Sequence, residues 1–326
     1  MKRKNLALIL LAAVALSGCA AASGSAGAES VPASAFESAS AAELSAVTFT
    51  DALDRTVTVE NPQRVATLIG SFADVWCAAG GADTIVASAD DTWTQFDLGL
   101  NEDVANIGKT TEPSVETLLA AQPDFVIASA RTQADVDLLP TLEQAGITVA
   151  YFDVSSFEDY LAMLKVCTDI TGRADCYEQN GLQVQKQIEA VCESAEGKEA
   201  QTVLYMRATG VSCKVKGSEG TVLGEMLADL GCVNIADSET SLLEELSMEA
   251  ILAADPDRIF IVMQGSDAEK VQKTLDELVL SNPAWQQLTA VQEDRVHYMD
   301  QTLYNLKPNA RWGEAYEGLA EILYGA

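Results

Sequence analysis

Seven basic residues, Lys109, Arg131, Arg207, Lys214, Lys216, Lys307 and Arg311, fall in or beside segments that read as strand-to-helix loops, in a chain whose formal net charge is −29. Ammonium and guanidinium groups gathered in such loops suit an anionic small ligand held by charge-assisted hydrogen bonds. Exposed loops also carry charge for no reason beyond solvation, and Arg311 can equally brace the helix that follows it. Six aromatic residues, Phe72, Trp93, Phe96, Tyr205, Tyr304 and Trp312, offer ring faces that could pack on a planar chelate. Each also suits ordinary packing. Trp93 in "DDTWTQFD" and Tyr304 in "QTLYNLKP" stand out, because polar surroundings make a core position less natural there.

Direct metal or acid–base chemistry has less to work with. The single histidine, His297, alternates with Val296 and Tyr298 as a strand residue would. A tyrosine such as Tyr304 can ligate ferric haem, but a bare zinc or manganese site normally needs a histidine or carboxylate cluster, so no metal site is expected. No G-x-S-x-G, H-E-x-x-H or Walker A pattern occurs, and no carboxylate pair is singled out by position, so no catalytic residue is expected. The surplus of negative charge repels phosphates and argues against nucleic acid. Apart from Cys19, the cysteines are Cys77, Cys167, Cys176, Cys192, Cys213 and Cys232; they show no C-x-x-C spacing and leave buried thiols and disulfides equally open.

The elements that must position these groups follow from periodicity. Lys2, Arg3 and Lys4 precede an apolar run over 6–16 that is too short to span a bilayer and reads as an export signal. An Ala/Ser/Gly-rich stretch without apolar period then reads as a tether. Alternating apolar and polar residues around "DALDR" predict a hairpin. Strands are expected over 65–69, 84–87, 125–128 and 148–152, with helices over 71–79, 114–121 and 133–145. A helical passage over 156–194, broken at Thr171-Gly172, separates this from a second alternation. There the strands are 202–206, 258–263 and 295–299, and the helices 221–230, 267–280 and 309–324. The pattern predicts two α/β lobes with mainly parallel sheets. The expected division is a leader over 1–19, a tether over 20–46, lobes over 47–155 and 199–326, and a helical connector over 156–198. A single helical connector should limit lobe movement on binding to a modest shift.

One passage occurs twice: "SVETLLAAQPDFVI" at 114–127 and "SMEAILAADPDRIFI" at 247–261. Ser114 and Ser247 are placed to cap a helix, and Glu116 and Glu249 fall in its first turn, where the dipole favours negative charge. Proline ends each helix. Local physics thus explains every residue type, but not the duplication. The two glutamates lie 133 residues apart, beyond any solenoid period and suited to one copy per lobe.

This doubled glutamate-helix-"PD" passage resembles the substrate-binding proteins of ABC importers for iron complexes and cobalamin, the class with a helical backbone between its lobes. "DALDRTVTVENPQRVATL", "GSEGTVLGEMLADLGCVNIAD" and "DRVHYMD" with "KPNARWGEAYEGLAEIL" are similar to other parts of that family, so the resemblance covers residues 47–325. It implies two Rossmann-like lobes with a ligand cleft between them. It also implies that Glu116 and Glu249 dock onto an ABC permease, which works with its ATPase, and that the protein is a monomer without a cofactor. "LSGC" resembles the lipobox of bacterial lipoproteins, with cleavage before an acylated Cys19 and anchoring outside the cytoplasm. The expected cargo is an anionic ferric siderophore, with haem or cobalamin as alternatives in the same role. An extracellular enzyme or a ligand sensor is the alternative of another class. The expected ligand-binding residues are Phe72, Trp93, Lys109, Arg131, Tyr205, Arg207, Lys216, Tyr304, Lys307 and Arg311. The sequence departs from the family at Asp54, where the hairpin usually has glycine, and this leaves the turn geometry open.

Overall fold

A computed structural model of the chain describes residues 46–265 and 267–325. The leader, Cys19 and nearly all of the expected tether lie outside the described residues. The chain opens with the predicted hairpin, β1 (Val47–Thr50) against β2 (Thr56–Val59). Asp54 takes φ 58° in its turn, a left-handed conformation that aspartate tolerates better than most residues with a side chain. The buried Asp51 carboxylate fixes this turn. It accepts the backbone N–H groups of Leu53 and Arg55, each at 3.0 Å, and the Arg55 guanidinium at 2.6 Å.

The first sheet is built from β3 (Val65–Thr67), β4 (Ile85–Ser88) and β5 (Ala105–Asn106). A small hairpin of β6 (Gly108–Lys109) and β7 (Glu112–Pro113) follows, and β8 (Phe125–Ser129) and β9 (Thr148–Phe152) complete the sheet. Its order is β5-β4-β3-β8-β9 and every pairing is parallel. All five residues of β8 are buried, as expected of a central strand covered on both faces. The helix expected over 133–145 divides into Gln133–Asp137 and Leu139–Gln144, because Pro140 can start a helix but not continue one.

The second sheet contains β10 (Thr202–Ala208), β11 (Cys213–Lys216), β12 (Val233–Asn234), β13 (Arg258–Met263) and β14 (Val296–Met299). β13 and β14 pair in parallel beyond β10. On the other edge of β10, β12 pairs in parallel at Thr202 and Val203, and β11 pairs antiparallel from Tyr205 to Ala208. The antiparallel β11 was not expected from the sequence, although "CKVK" does alternate.

Between the sheets lie the helices Phe157–Thr171, Ala174–Tyr177 and Gln183–Ala195, with a π turn at Glu178–Leu182. Ser156 and Asp159 form a reciprocal capping box at the start, and Gly172, at φ 69°, ends the first helix in the left-handed conformation. The Tyr160 hydroxyl donates to the Asn180 carbonyl at 2.8 Å, and Thr171 donates to that of Ala79 at 2.6 Å. One hydrophobic core runs through Phe125 of the first sheet, Tyr160 of the connector, Tyr205 and Phe260 of the second sheet, and Trp312 of the last helix. The outer faces of the two sheets have smaller cores of their own. All the described residues belong to one compact unit.

Candidate ligand-binding cleft

In parallel sheets ligands bind beyond the carboxyl ends of the strands, beside the point where the strand order reverses. The cationic cluster occupies such a place. β10 and β11 set Arg207 directly opposite Lys214, and Tyr205 opposite Lys216. Because directly paired residues share a sheet face, all three cations project from the face that carries Tyr205. Arg207 donates to the Asn305 side chain at 3.1 Å. No carboxylate comes within 4.0 Å of Arg207, Lys214 or Lys216 among the described residues. Burial, followed by the charges of Arg207 and Lys214, holds the Lys216 ammonium below its ordinary range.

The first lobe contributes Arg131, on the loop that leaves β8. Its Nε donates to Asp153 at 2.5 Å and its Nη1 crosses to the Gly220 carbonyl of the second lobe at 3.1 Å. The loop itself is pinned from below. The buried Asp135 carboxylate accepts the Ser129 N–H at 2.9 Å, and the Ser129 hydroxyl accepts that of Arg131 at 3.2 Å. Gln301 donates across the cleft to Gln95 at 2.9 Å. Lys307 reaches over the Phe72 ring, 5.8 Å from its centroid. Burial pulls the Lys307 ammonium down, and the neighbouring Asp153 and Asp91 carboxylates work against that pull. Its backbone is left-handed at φ 80°, as is that of Asn309 at φ 54°. Asn309 anchors this loop by donating to the Ser71 carbonyl and to Asp74, both at 2.8 Å.

A pocket of about 690 Å³ opens beside this cluster, with Arg131 and Lys216 on its wall together with Thr221, Asp237, Thr240 and Leu243. Trp93 stands on the short helix Asp91–Thr94 and is 42% exposed. That helix lies hard against Gly70, whose N–H donates to Asp91 at 2.9 Å. A Cβ at Gly70 would come within 2.7 Å of the Thr92 nitrogen, so only glycine allows this approach.

The aromatic expectations need correction. Tyr205 is buried in the main core, so its ring offers no face to a ligand although its strand neighbours on the same face are the cleft cations. Tyr304 is buried too, and its hydroxyl donates to the Ala315 carbonyl at 3.0 Å. Phe72 is sealed beneath Lys307 and packs edge-on to Phe152 at 6.3 Å. Arg311 makes two hydrogen bonds to Glu314, each at 2.7 Å, and braces the first turn of the last helix. Lys109 stands exposed on the β6–β7 hairpin, and no contact among the described residues joins it to the cleft cations. His297 is a β14 residue stacked on Phe260, and its Nε2 lies 3.1 Å from Arg258 Nη1. The six cysteines are free thiols. Burial pushes Cys77 up to about 12 and both Cys213 and Cys232 up to about 11.

The sequence reading missed Asp135 and Asp153, which hold Arg131. Nothing in their local pattern sets them apart from the chain's many other carboxylates. Glu116 and Glu249 are both exposed, each in the first turn of a short helix. Ser114 and Ser247 cap these helices by accepting backbone N–H groups at 3.2 and 3.3 Å.

Residues 65–303 match the model of a family described as periplasmic binding protein. An achromobactin-binding periplasmic protein of Dickeya dadantii (strain 3937) is 26% identical over 75% of this chain and 81% of its own length. The periplasmic heme-binding protein RhuT from Roseiflexus sp. RS-1 superposes with a TM-score of 0.67 and 21% identity, covering 81% of this chain and 98% of that one. Staphylococcus aureus SirA, solved in complex with staphyloferrin B, gives a TM-score of 0.66 and 21% identity over 86% of this chain and 97% of that one. With two α/β lobes, a helical backbone and this match over most of its length, the chain belongs to the periplasmic binding protein family.

Proposed function

We propose that this protein is a lipid-anchored, extracytoplasmic substrate-binding protein of an ABC importer, which captures an anionic iron complex and presents it to the permease and its ATPase. The observation that carries the reading is the set of cleft cations, Arg207, Lys214 and Lys216, which share one sheet face with no carboxylate partner among the described residues, in a chain of net charge −29. Like charges placed directly opposite each other on a sheet are destabilising, so an anion that settles among them gains from all three. The name of the Dickeya relative as an achromobactin-binding protein supports a binding role. Haem recedes as cargo, because the Tyr304 hydroxyl that might have met its iron is buried and already donated.

In this reading residues 1–19 are the leader, Cys19 carries the lipid, and 20–46 form the tether. Residues 47–155 and 199–326 are the lobes on either side of the 156–198 connector. Glu116 and Glu249 offer one negative point per lobe to the permease, and the protein works as a monomer. The direct experiment is to isolate the protein from its native host and analyse it for iron and for small organic acids by mass spectrometry. About one iron per chain with an organic chelator supports the proposal. A bound ligand that is neither anionic nor metal-bearing overturns it.

A further inference from the structure

Resting on the reading above, we infer that Asp153 is a specificity-determining residue of the cleft: it is an internal stand-in that half fills the Arg131 guanidinium and yields it to an oxyanion able to take both of its parallel N–H groups. The β8–β9 ladder sets the two residues side by side. Ser129 pairs with Phe152, and the Ala130 N–H donates to the Phe152 carbonyl at 2.9 Å. Arg131 and Asp153 therefore stand just beyond the carboxyl ends of adjacent parallel strands, where ligands bind. The Arg131 loop is held by Ser129 and Asp135, so the guanidinium is presented from a fixed base.

The geometry of the pair is incomplete. A carboxylate matches a guanidinium best side-on, through two parallel N–H···O bonds. Arg173 with Asp175 and Arg311 with Glu314 both form this fork through Nε and Nη2, at 2.7 to 2.8 Å. Asp153 takes only Nε, at 2.5 Å, while Nη1 is given to the Gly220 carbonyl of the second lobe at 3.1 Å. Nη2 has no partner among the described residues. An oxyanion that displaces Asp153 gains the whole Nε/Nη2 fork and leaves the contact between the lobes in place. Glu219 and Asp237 also line the pocket beside Arg131, but among the described residues no carboxylate other than Asp153 comes within 4.0 Å of the guanidinium. Asp237 is engaged by the Ser218 N–H at 2.9 Å. Both members of the Arg131–Asp153 pair are half exposed, so the pair contributes at most about 1 kcal/mol and is exchangeable. Once displaced, Asp153 keeps the Lys307 ammonium as a neighbouring cation. A ligand that brings a single oxygen gains nothing over Asp153, so the pair selects for paired oxygens.

The test is a double-mutant cycle on the ligand-free mature chain, read by equilibrium dialysis against radiolabelled ferric citrate, a probe whose carboxylates offer paired oxygens. Asp153→Asn should raise affinity about two- to fivefold, the range set by an exposed ion pair of this kind, and Arg131→Gln should lower it. In the Arg131→Gln background the Asp153→Asn change should have no effect. Unchanged thermal unfolding midpoints would show that all three variants fold. An equal gain in both backgrounds would overturn the inference, because Asp153 then acts only as a general negative charge. No gain, or a loss, in Asp153→Asn alone would also overturn it, because Asp153 then does not compete with the ligand. In either case the broader reading as a binder of anionic iron complexes stands. Failure of the parent and every variant to bind the probe would instead remove that reading, and the inference with it.

Discussion

Asp135 is a single buried group that pins the loop carrying Arg131. Its side chain is fully buried, one oxygen accepts the Ser129 N–H, and the other finds no partner among the described residues. Burial, reinforced by the nearby Asp91 charge, pushes its carboxyl up to about 7. The folded state therefore holds this proton more tightly than the unfolded chain, whose aspartates titrate near 3.9. The resulting stabilisation is complete below about pH 4 and is lost as pH rises through about 7. Asp135→Asn stays neutral and can still accept the Ser129 N–H. Its stability relative to the parent should therefore climb between about pH 4 and 7 and then level off, as followed by urea unfolding. A difference that does not change with pH would show that the carboxyl is not strained by burial. At this scale the cations were legible in the sequence, because basic residues stand out against so acidic a background. Tyr205, Tyr304 and Phe72 were not, because a ring's burial is decided by which face of a strand or helix meets the core, and nearest neighbours in sequence do not report that.

At the scale of elements, the alternation of strands and helices was readable because β3, β8 and β13 are nearly continuous apolar runs between helices of clear period. Two features escaped. β11 is only four residues long and half exposed, with burial alternating along it, so its pattern was too brief to separate from a loop. The helix predicted over 133–145 carried one amphipathic period across a proline that divides it. The connector was more legible, and its start depends on a specific device. Ser156 accepts the Asp159 N–H at 3.2 Å, and Asp159 accepts the N–H groups of Ser155 and Ser156 at 3.0 and 3.1 Å. Ser156→Ala should therefore cost about 1 kcal/mol of unfolding free energy, measured as a lower urea midpoint at unchanged slope. A midpoint equal to that of the parent would mean that the cap adds nothing to the packing behind it.

For the whole molecule, the continuous core from Phe125 through Tyr160 to Tyr205 and Trp312 binds both sheets to the same helical backbone. The hydrogen bonds from Arg131 to Gly220 and from Gln301 to Gln95 join their open ends. Such a body suits a carrier that closes little around its cargo and offers a fixed outer surface to a partner. The doubled passage gives that surface one exposed glutamate from each half of the chain. The duplication was plain in the sequence, since the same caps and the same proline stops recur, whereas the purpose proposed for it, docking to a permease, involves a partner outside the chain. The most direct measurement is uptake of a radiolabelled anionic iron complex by cells in which this gene is replaced by the Glu116→Arg, Glu249→Arg double variant. The account predicts that uptake falls to the level of cells lacking the gene, while the purified variant binds the complex as the parent does. Uptake at the parental rate, with the variant as the only copy, would contradict it.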